Sequence, residues 1–272
     1  MPDPADTRFD RDTRVIRSAD GVFEARIDPG WWILAGPNGG YVAAILLRAM
    51  EAAVGDAERA PRSITIHYTA PPARGAARIE TQVERTGRSL TTVTARMWQD
   101  DRILCVGVAA FSKPRASLEF DHTRAPQVAP PEACEPMQAV IEIHKRYEQR
   151  WAIAARPWSN ADEAHSGGWI RLREPRIADA TLIAAYTDAF PPAVLSLAAE
   201  AGIGGPIPTV DLTIHFREAL PLPAARPQDF TLALFRSRRA RSGFVEEDGE
   251  IWSAEGVLLA QSRQLALVLG TT

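Results

Sequence analysis

The chain has 272 residues, which is long for one small domain and sufficient for two of about 100–150 residues each. Its formal charge of −3, from 31 basic and 34 acidic side chains, lacks the basic excess of a protein that works by neutralising nucleic-acid phosphates. The longest apolar run, residues 41–47, is far short of the roughly 20 residues of a membrane span, and the charged, proline-bearing start MPDPADTRFDRDTR has no apolar signal core. The expectation is a cytoplasmic protein with neither nucleic-acid nor membrane partners.

In chain order, a strand over 22–27 leads to a turn at Asp28-Pro29-Gly30 and then to a helix over 40–54. Asn38 is a natural N-cap for that helix, since its side-chain oxygen can accept from an otherwise unpaired amide of the first turn. Residues 41–47 are apolar in succession, so the helix has no polar face over its first two turns and must be buried. Strands follow over 62–69, 77–86, 90–98 and 103–112, the last two joined by a tight turn at Asp100-Asp101. Residues 114–136 carry prolines at 114, 126, 130, 131 and 136 with little periodicity, and read as a linker. Beyond it come a strand over 163–173, a helical stretch over 180–201, and strands over 209–217, 230–237, 241–253 and 257–269. Pro191-Pro192 must either end that helical stretch or kink it, because proline lacks the amide and clashes one turn back.

The two halves resemble each other. SITIHY (63–68) and DLTIHF (211–216) share Thr-Ile-His-aromatic at an offset of 148, and DDRILCVGVAAF (100–111) matches AEGVLLAQSRQLAL (254–267) in the same order at an offset of 155. A helix buried against an antiparallel sheet, made twice, is an α+β pattern. The domain reading is a first unit over 13–113, a linker over 114–136 and a second unit over 137–272.

Particular residues carry a family resemblance. GPNGGYVAAILLRAM (36–50) resembles the turn and central helix of the amino-terminal hotdog unit in acyl-CoA thioesterases of the thioesterase II type. YTDAFPPAV (186–194), PTVDLTIHFR (208–217) and AEGVLLAQSRQLAL (254–267) are similar to the carboxy-terminal unit of the same family. The resemblance implies a double hotdog fold, an acyl-CoA substrate and hydrolysis of its thioester to free acid and CoA. It also implies a catalytic group of Asp, Thr or Ser, and Gln from the second unit, which falls on Asp188, Thr209 and Gln264, with Gln261 a competing choice for the last. Phe190-Pro191-Pro192 departs from the family's plain helix after the Asp.

The chemistry of these residue types suits that reading. A carboxylate can accept a proton from water, while a hydroxyl and an amide can hold the same water on its attack line. Asn38, Gly39 and Gly40 at the helix entry offer backbone amides toward an oxyanion or substrate, with Tyr41 beside them, and Tyr41, Ile45 and Leu195 offer apolar walls for an acyl chain. Strand alternation puts Thr209, Asp211 and Thr213 on one face. The plainer readings are a helix-terminal cap for Asp188, a strand start for Thr209, a solvated strand face for Gln264 and a simple helix entry for Asn38-Gly39-Gly40. His67 and His215, at matching positions, read as structural. Four arginines at 236, 238, 239 and 241 mark a hairpin turn or a fork for CoA phosphates, and Asp248-Gly249 reads as another turn.

No metal or cofactor is expected: Cys105 and Cys134 form no ligand cluster or disulfide framework, and there is no G-x-G-x-x-G or phosphate loop. Association into a homo-oligomer through sheet edges stays open. Two other activities fit an α+β hotdog chain: a non-catalytic acyl-CoA or lipid-binding protein, and an enoyl-CoA hydratase-like enzyme. The latter needs a histidine near its Asp, and none of the five follows Asp188 at short range.

Overall fold

The computed structural model describes residues 6–34, 36–197 and 205–270. The first half contains α1 (Arg8–Asp12), β1 (Val15–Ala19), β2 (Val22–Ile27), α2 (Gly39–Val54), β3 (Ala60–Tyr68), β4 (Gly75–Thr86), β5 (Leu90–Gln99) and β6 (Arg102–Ser112). The second contains β7 (Glu135–Pro136), β8 (Tyr147–Trp151), β9 (Ala164–Leu172), α3 (Ala180–Tyr186), β10 (Thr209–Phe216), β11 (Thr231–Ser237), β12 (Ala240–Arg241), β13 (Phe244–Ser253) and β14 (Leu258–Leu267). The strands form one sheet in the order β1-β2-β4-β5-β6-β3-β10-β14-β13-β11-β9-β8-β7, with β12 paired to β13. Among the described residues no helix is long and apolar enough to cross a membrane.

β3 and β10 pair antiparallel at the join between the halves, and their register explains the repeat seen in the sequence. Thr65 faces Thr213, with hydroxyl oxygens 3.0 Å apart, and these are the residues related by the 148-residue offset. A pseudo-twofold axis therefore passes between them. The 155-residue offset is equally physical: the Thr69 amide donates to Leu104 as the Arg217 amide donates to Leu259. Each half contributes the order helix-flanking strand, hairpin partners and central strand, so the α+β double hotdog is present as two related units in one sheet.

The helices α2 and α3 pack side by side on one face of this sheet. Asn38 caps α2 by accepting from the Tyr41 amide at 3.0 Å, and Gly55, at φ 62°, ends it in the left-handed conformation that glycine adopts at little steric cost. Residues 40–47 of α2 are all buried, as the unbroken apolar run predicts. Ile45, Leu46 and Met50 share one continuous core with Ile64, Ile66 and Val93 of the first half and Leu182, Ile183, Leu212 and Ile214 of the second. At ~1.5–3 kcal/mol for each large apolar side chain removed from water, this shared core binds the halves into one body.

Three local readings are resolved or changed. The helical stretch after residue 180 ends at Tyr186 and resumes only as a 3-10 turn, Ala193–Leu197, so Pro191-Pro192 terminates rather than kinks it. Residues 198–201 of that stretch lie outside the described residues. Asp248-Gly249 is not a turn: both residues sit mid-strand in β13, paired to β11 and to β14. The glycine is there for space, since a Cβ at 249 would come 2.3 Å from the Ser262 hydroxyl and 2.9 Å from the Phe235 ring. The turn lies at Ser242-Gly243, where both residues have positive φ. Finally, a register shift in β10 between Thr209 and Asp211 breaks strand alternation. This bulge puts Thr209 on the helix-bearing face with Leu212, while Asp211 and Thr213 point outward.

Gly40 sets how closely the two helices approach, because a Cβ there would lie 2.5 Å from the Ala185 carbonyl oxygen of α3. Alanine's better helix propensity, worth roughly 0.5–1 kcal/mol, is smaller than the overpacking cost of about 1–3 kcal/mol. Gly40→Ala is therefore expected to lower the thermal unfolding midpoint by several degrees; an equal or higher midpoint would contradict this packing.

Candidate functional site

Asp188 stands two residues beyond the end of α3, where the chain turns toward Pro191-Pro192. The turn aims its carboxylate at the amino-terminal end of α2, in the other half of the duplication. Oδ2 accepts from Asn38 Nδ2 at 2.8 Å and from the Gly40 amide at 3.1 Å, and the Asn38 amide group also donates to the Asp188 carbonyl. Asn38 thus works twice, its oxygen capping the helix through Tyr41 and its nitrogen holding the carboxylate. Gly39 lacks a Cβ where one would lie 3.0 Å from Asp188 Oδ2, and its carbonyl accepts from the Tyr68 hydroxyl at 2.8 Å.

The electrostatics of Asp188 are a contest. Burial pushes its carboxyl up to about 6, against the opposing pull of hydrogen bonds from Gly40, Gly39, Gln264 and Asn38. Protein surrounds the side chain, yet the residue stays half-buried and keeps an accessible face. The result is a carboxylate poised between proton acceptor and proton donor near neutral pH.

On the sheet below, three side chains form a chain of hydrogen bonds. The Thr209 hydroxyl donates to Gln264 Oε1 at 2.9 Å, and Gln264 Nε2 donates to Glu247 Oε1 at 2.7 Å. Gln264 faces inward because it is directly opposite Leu212 on one side and Glu247 on the other. Thr209 reaches it only because of the β10 bulge. The second Glu247 oxygen accepts from the Ala193 amide, at the start of the 3-10 turn that follows Asp188. Burial raises the Glu247 carboxyl to about 7, and the nearby charge of Asp188 adds to the rise.

The sequence-chosen trio Asp188, Thr209 and Gln264 is thus brought to one place, together with Asn38, Gly39 and Gly40. Two assignments change. The Asn38 side chain and the Gly40 amide, expected to face an oxyanion or substrate, are spent on Asp188. Tyr41 is fully buried away from the site: its ring stacks on Trp31 at 5.2 Å between centroids and its hydroxyl donates to the Asp12 carbonyl. Gln261 is exposed opposite His215 and Glu250, which leaves Gln264 as the glutamine at the site. His67 and His215 are exposed on the outward face. Ile45 is core, and Leu195 packs with Val194, Val245, Ile207, Ala266 and Val268 beside the polar cluster. Arg238 is paired to Asp248 in the exposed arginine hairpin. Among the described residues no group of three His, Cys, Asp or Glu side chains could hold a metal ion.

Glu247 was missed in the sequence, although a signal for it exists. Val245, Glu247, Gly249 and Ile251 share the buried face of β13, so an acid stands at a core position of an alternating strand. The pseudo-twofold axis also shows why only one such cluster exists among the described residues. The row Leu212-Gln264-Glu247 corresponds to Ile64-Ala109-Val93, and Thr209 corresponds to Pro61. The first unit carries apolar side chains wherever the second has its sheet polar groups.

A carboxyl raised on folding adds stability that is fully present below its unfolded pKa, near 3.9 for Asp, and is lost as pH rises through its folded value. For Asp188 that window runs from about 4 to about 6. The thermal midpoint of Asp188→Asn minus that of the native chain should therefore increase between pH 4 and pH 7. A difference that stays constant, or falls, would show that Asp188 carries no burial cost.

Comparison with known proteins agrees with this architecture. Residues 28–112 match the family of acyl-CoA thioesterase N-terminal domains and residues 122–268 the family of acyl-CoA thioesterase C-terminal domains. No curated protein matches the chain. Among solved structures, a hotdog-fold protein of unknown function from Alicyclobacillus acidocaldarius is 27% identical with a TM-score of 0.86, over 96% of this chain and 97% of that one. A candidate thioesterase II from Thermobifida fusca is 28% identical with a TM-score of 0.83 over the same shares, 96% and 97%. An acyl-CoA thioesterase II from Mycobacterium marinum shares the fold at 17% identity and a TM-score of 0.77, over 95% and 97%. The chain belongs to the acyl-CoA thioesterase family, with both hotdog units carried in one polypeptide.

Proposed function

We propose that this protein hydrolyses acyl-CoA thioesters to the free acid and CoA, using a water activated by Asp188 and held by Thr209 and Gln264. The observation that supports it most is the carboxylate at the end of a buried helix, raised toward neutrality, beside the Thr209-Gln264 pair. In this reading the Asp188 carboxylate takes a proton as the water oxygen bonds to the thioester carbonyl carbon. The tetrahedral oxyanion then collapses, the C–S bond breaks, and the proton held by Asp188 passes to the departing CoA thiolate. Thr209 donates its hydroxyl proton to Gln264, so the hydroxyl lone pairs are free to accept from the water. Asn38 and Gly40 keep the carboxylate in place and temper its basicity, a task we assign them instead of oxyanion binding. The apolar cluster around Val194, Leu195 and Val245 is the wall nearest to hand for an acyl chain.

The hydratase-like reading gains nothing from the geometry, since among the described residues none of the groups that hydrogen-bond Asp188 is a histidine. The test is a chromogenic thiol-release assay across short, medium, long and aromatic acyl-CoAs. Native protein should release CoA from at least one class, and Asp188→Asn should lower kcat by at least about 10²–10³-fold with the fold intact. Saturable binding of acyl-CoA without thiol release would instead make this a binding module. For the native enzyme, kcat/KM should rise with pH through an apparent pKa of about 6, as Asp188 loses its proton. A flat profile across pH 5–8 would remove Asp188 from the role of base.

A further inference from the structure

We infer that Glu247 is a positioning residue for this site, fixing at once the Gln264 amide and the segment that carries Asp188. The inference rests on the hydrolytic reading of the site and adds to it a residue outside the Asp, Thr and Gln group.

Both groups facing Glu247 donate hydrogen bonds, and its two carboxyl oxygens accept them, one each. Gln264 Nε2 donates to one oxygen and the Ala193 amide to the other. With its nitrogen drawn to Glu247, Gln264 turns Oε1 toward Thr209, and this oxygen accepts the hydrogen bond of the Thr209 hydroxyl and sets the direction of the Thr209 lone pairs. The amide could otherwise sit either way round; Glu247, together with the Asp188 carboxylate that Gln264 also hydrogen-bonds, removes that freedom. The Ala193 bond ties the turn five residues past Asp188 to β13, so the same side chain holds the loop that α3 leaves behind when it ends at Tyr186.

The placement is costly in ways that packing alone does not explain. Glu247 is buried and, among the described residues, no cation is paired to it; the charged groups bearing on it are Asp188 and Glu246, both acids. The equivalent position of the first unit, which lacks the polar cluster, is filled by Val93. A core valine would satisfy the sheet at 247 equally well, so the acid is there for its neighbours.

Glu247→Gln keeps the shape but replaces one acceptor by a donor, so it cannot serve both Ala193 and Gln264 in their present orientation. Kinetics are measured for native protein, Glu247→Gln, Gln264→Ala and the double variant. The expected result is a fall in kcat of about 10–100-fold for Glu247→Gln at little changed KM, and a loss in the double variant smaller than the product of the two single losses. Glu247→Asp keeps the charge but is one methylene short of reaching both donors, and should be impaired in kcat as well. A second readout is independent of turnover: the Gln264 side-chain amide resonances, identified by their absence in Gln264→Ala, should shift and exchange faster with solvent in Glu247→Gln. Native kcat in Glu247→Gln, multiplicative losses in the double variant, or unmoved Gln264 resonances would each overturn the inference. If native protein hydrolyses no thioester the hydrolytic reading fails, and the amide resonances still decide whether Glu247 holds Gln264.

Discussion

A carboxylate from one half of the chain rests on the end of a buried helix from the other, and most of what is distinctive in this protein follows from that contact. The Asp188 side chain cannot be solvated freely where it lies, so its charge is carried by Asn38, Gly40 and the positive end of α2. Those groups are available only because α2 begins there, capped by the same Asn38. The helix can come so near to α3 only because Gly40 has no side chain. Burial wins the contest with hydrogen bonding, leaving the carboxyl near 6 rather than far below it. A surface carboxylate would be ionised but a weak base, and a carboxyl buried without donors would stay neutral; the intermediate condition suits proton transfer at neutral pH.

Duplication supplies the scaffold and asymmetry supplies the chemistry. The pseudo-twofold axis between Thr65 and Thr213 brings each central helix beside the other unit's helix. The first unit also has a half-buried acid near the start of the opposing helix, Glu51, whose neighbours include Thr181 of α3 and whose carboxyl burial and Asp179 raise to about 7. That acid, however, lies within reach of Arg48 and Arg176, and the sheet beneath offers Pro61, Val93 and Ala109 in place of Thr209, Glu247 and Gln264. Among the described residues it is the second unit that sets its raised acid beside a polar network on the sheet.

Much of this was legible in the sequence because it depends on local rules. The 148- and 155-residue offsets mark the strand registers, Asn38 marks the helix start, and the unbroken run from Tyr41 to Leu47 marks a helix without a wet face. The trio Asp188, Thr209 and Gln264 came from family resemblance rather than from periodicity. Simple alternation placed Thr209 with Asp211 and Thr213, and a bulge, which no local pattern announces, turned it inward. Asp248-Gly249 looked like a turn because the pair is common in hairpins; here the glycine admits Phe235 and Ser262, a demand set by neighbouring strands. Tyr41 lay next to the right helix end but faced Trp31 and Asp12. Glu247 escaped notice because its charge suggested a wet face, although its spacing with Val245 and Ile251 indicated the core. What the sequence concealed were contacts between distant segments, where the environment of a residue outweighs its type.

The central claim is that Asp188 is a desolvated carboxylate held by the end of α2. Its most direct test is a carboxyl-carbon NMR titration of the aspartates, with the Asp188 resonance assigned by its loss in Asp188→Asn. The account predicts a midpoint of about 6 for that resonance. A midpoint at the ordinary aspartate value near 3.9 would contradict it, because burial would then not outweigh the hydrogen bonds from the helix end.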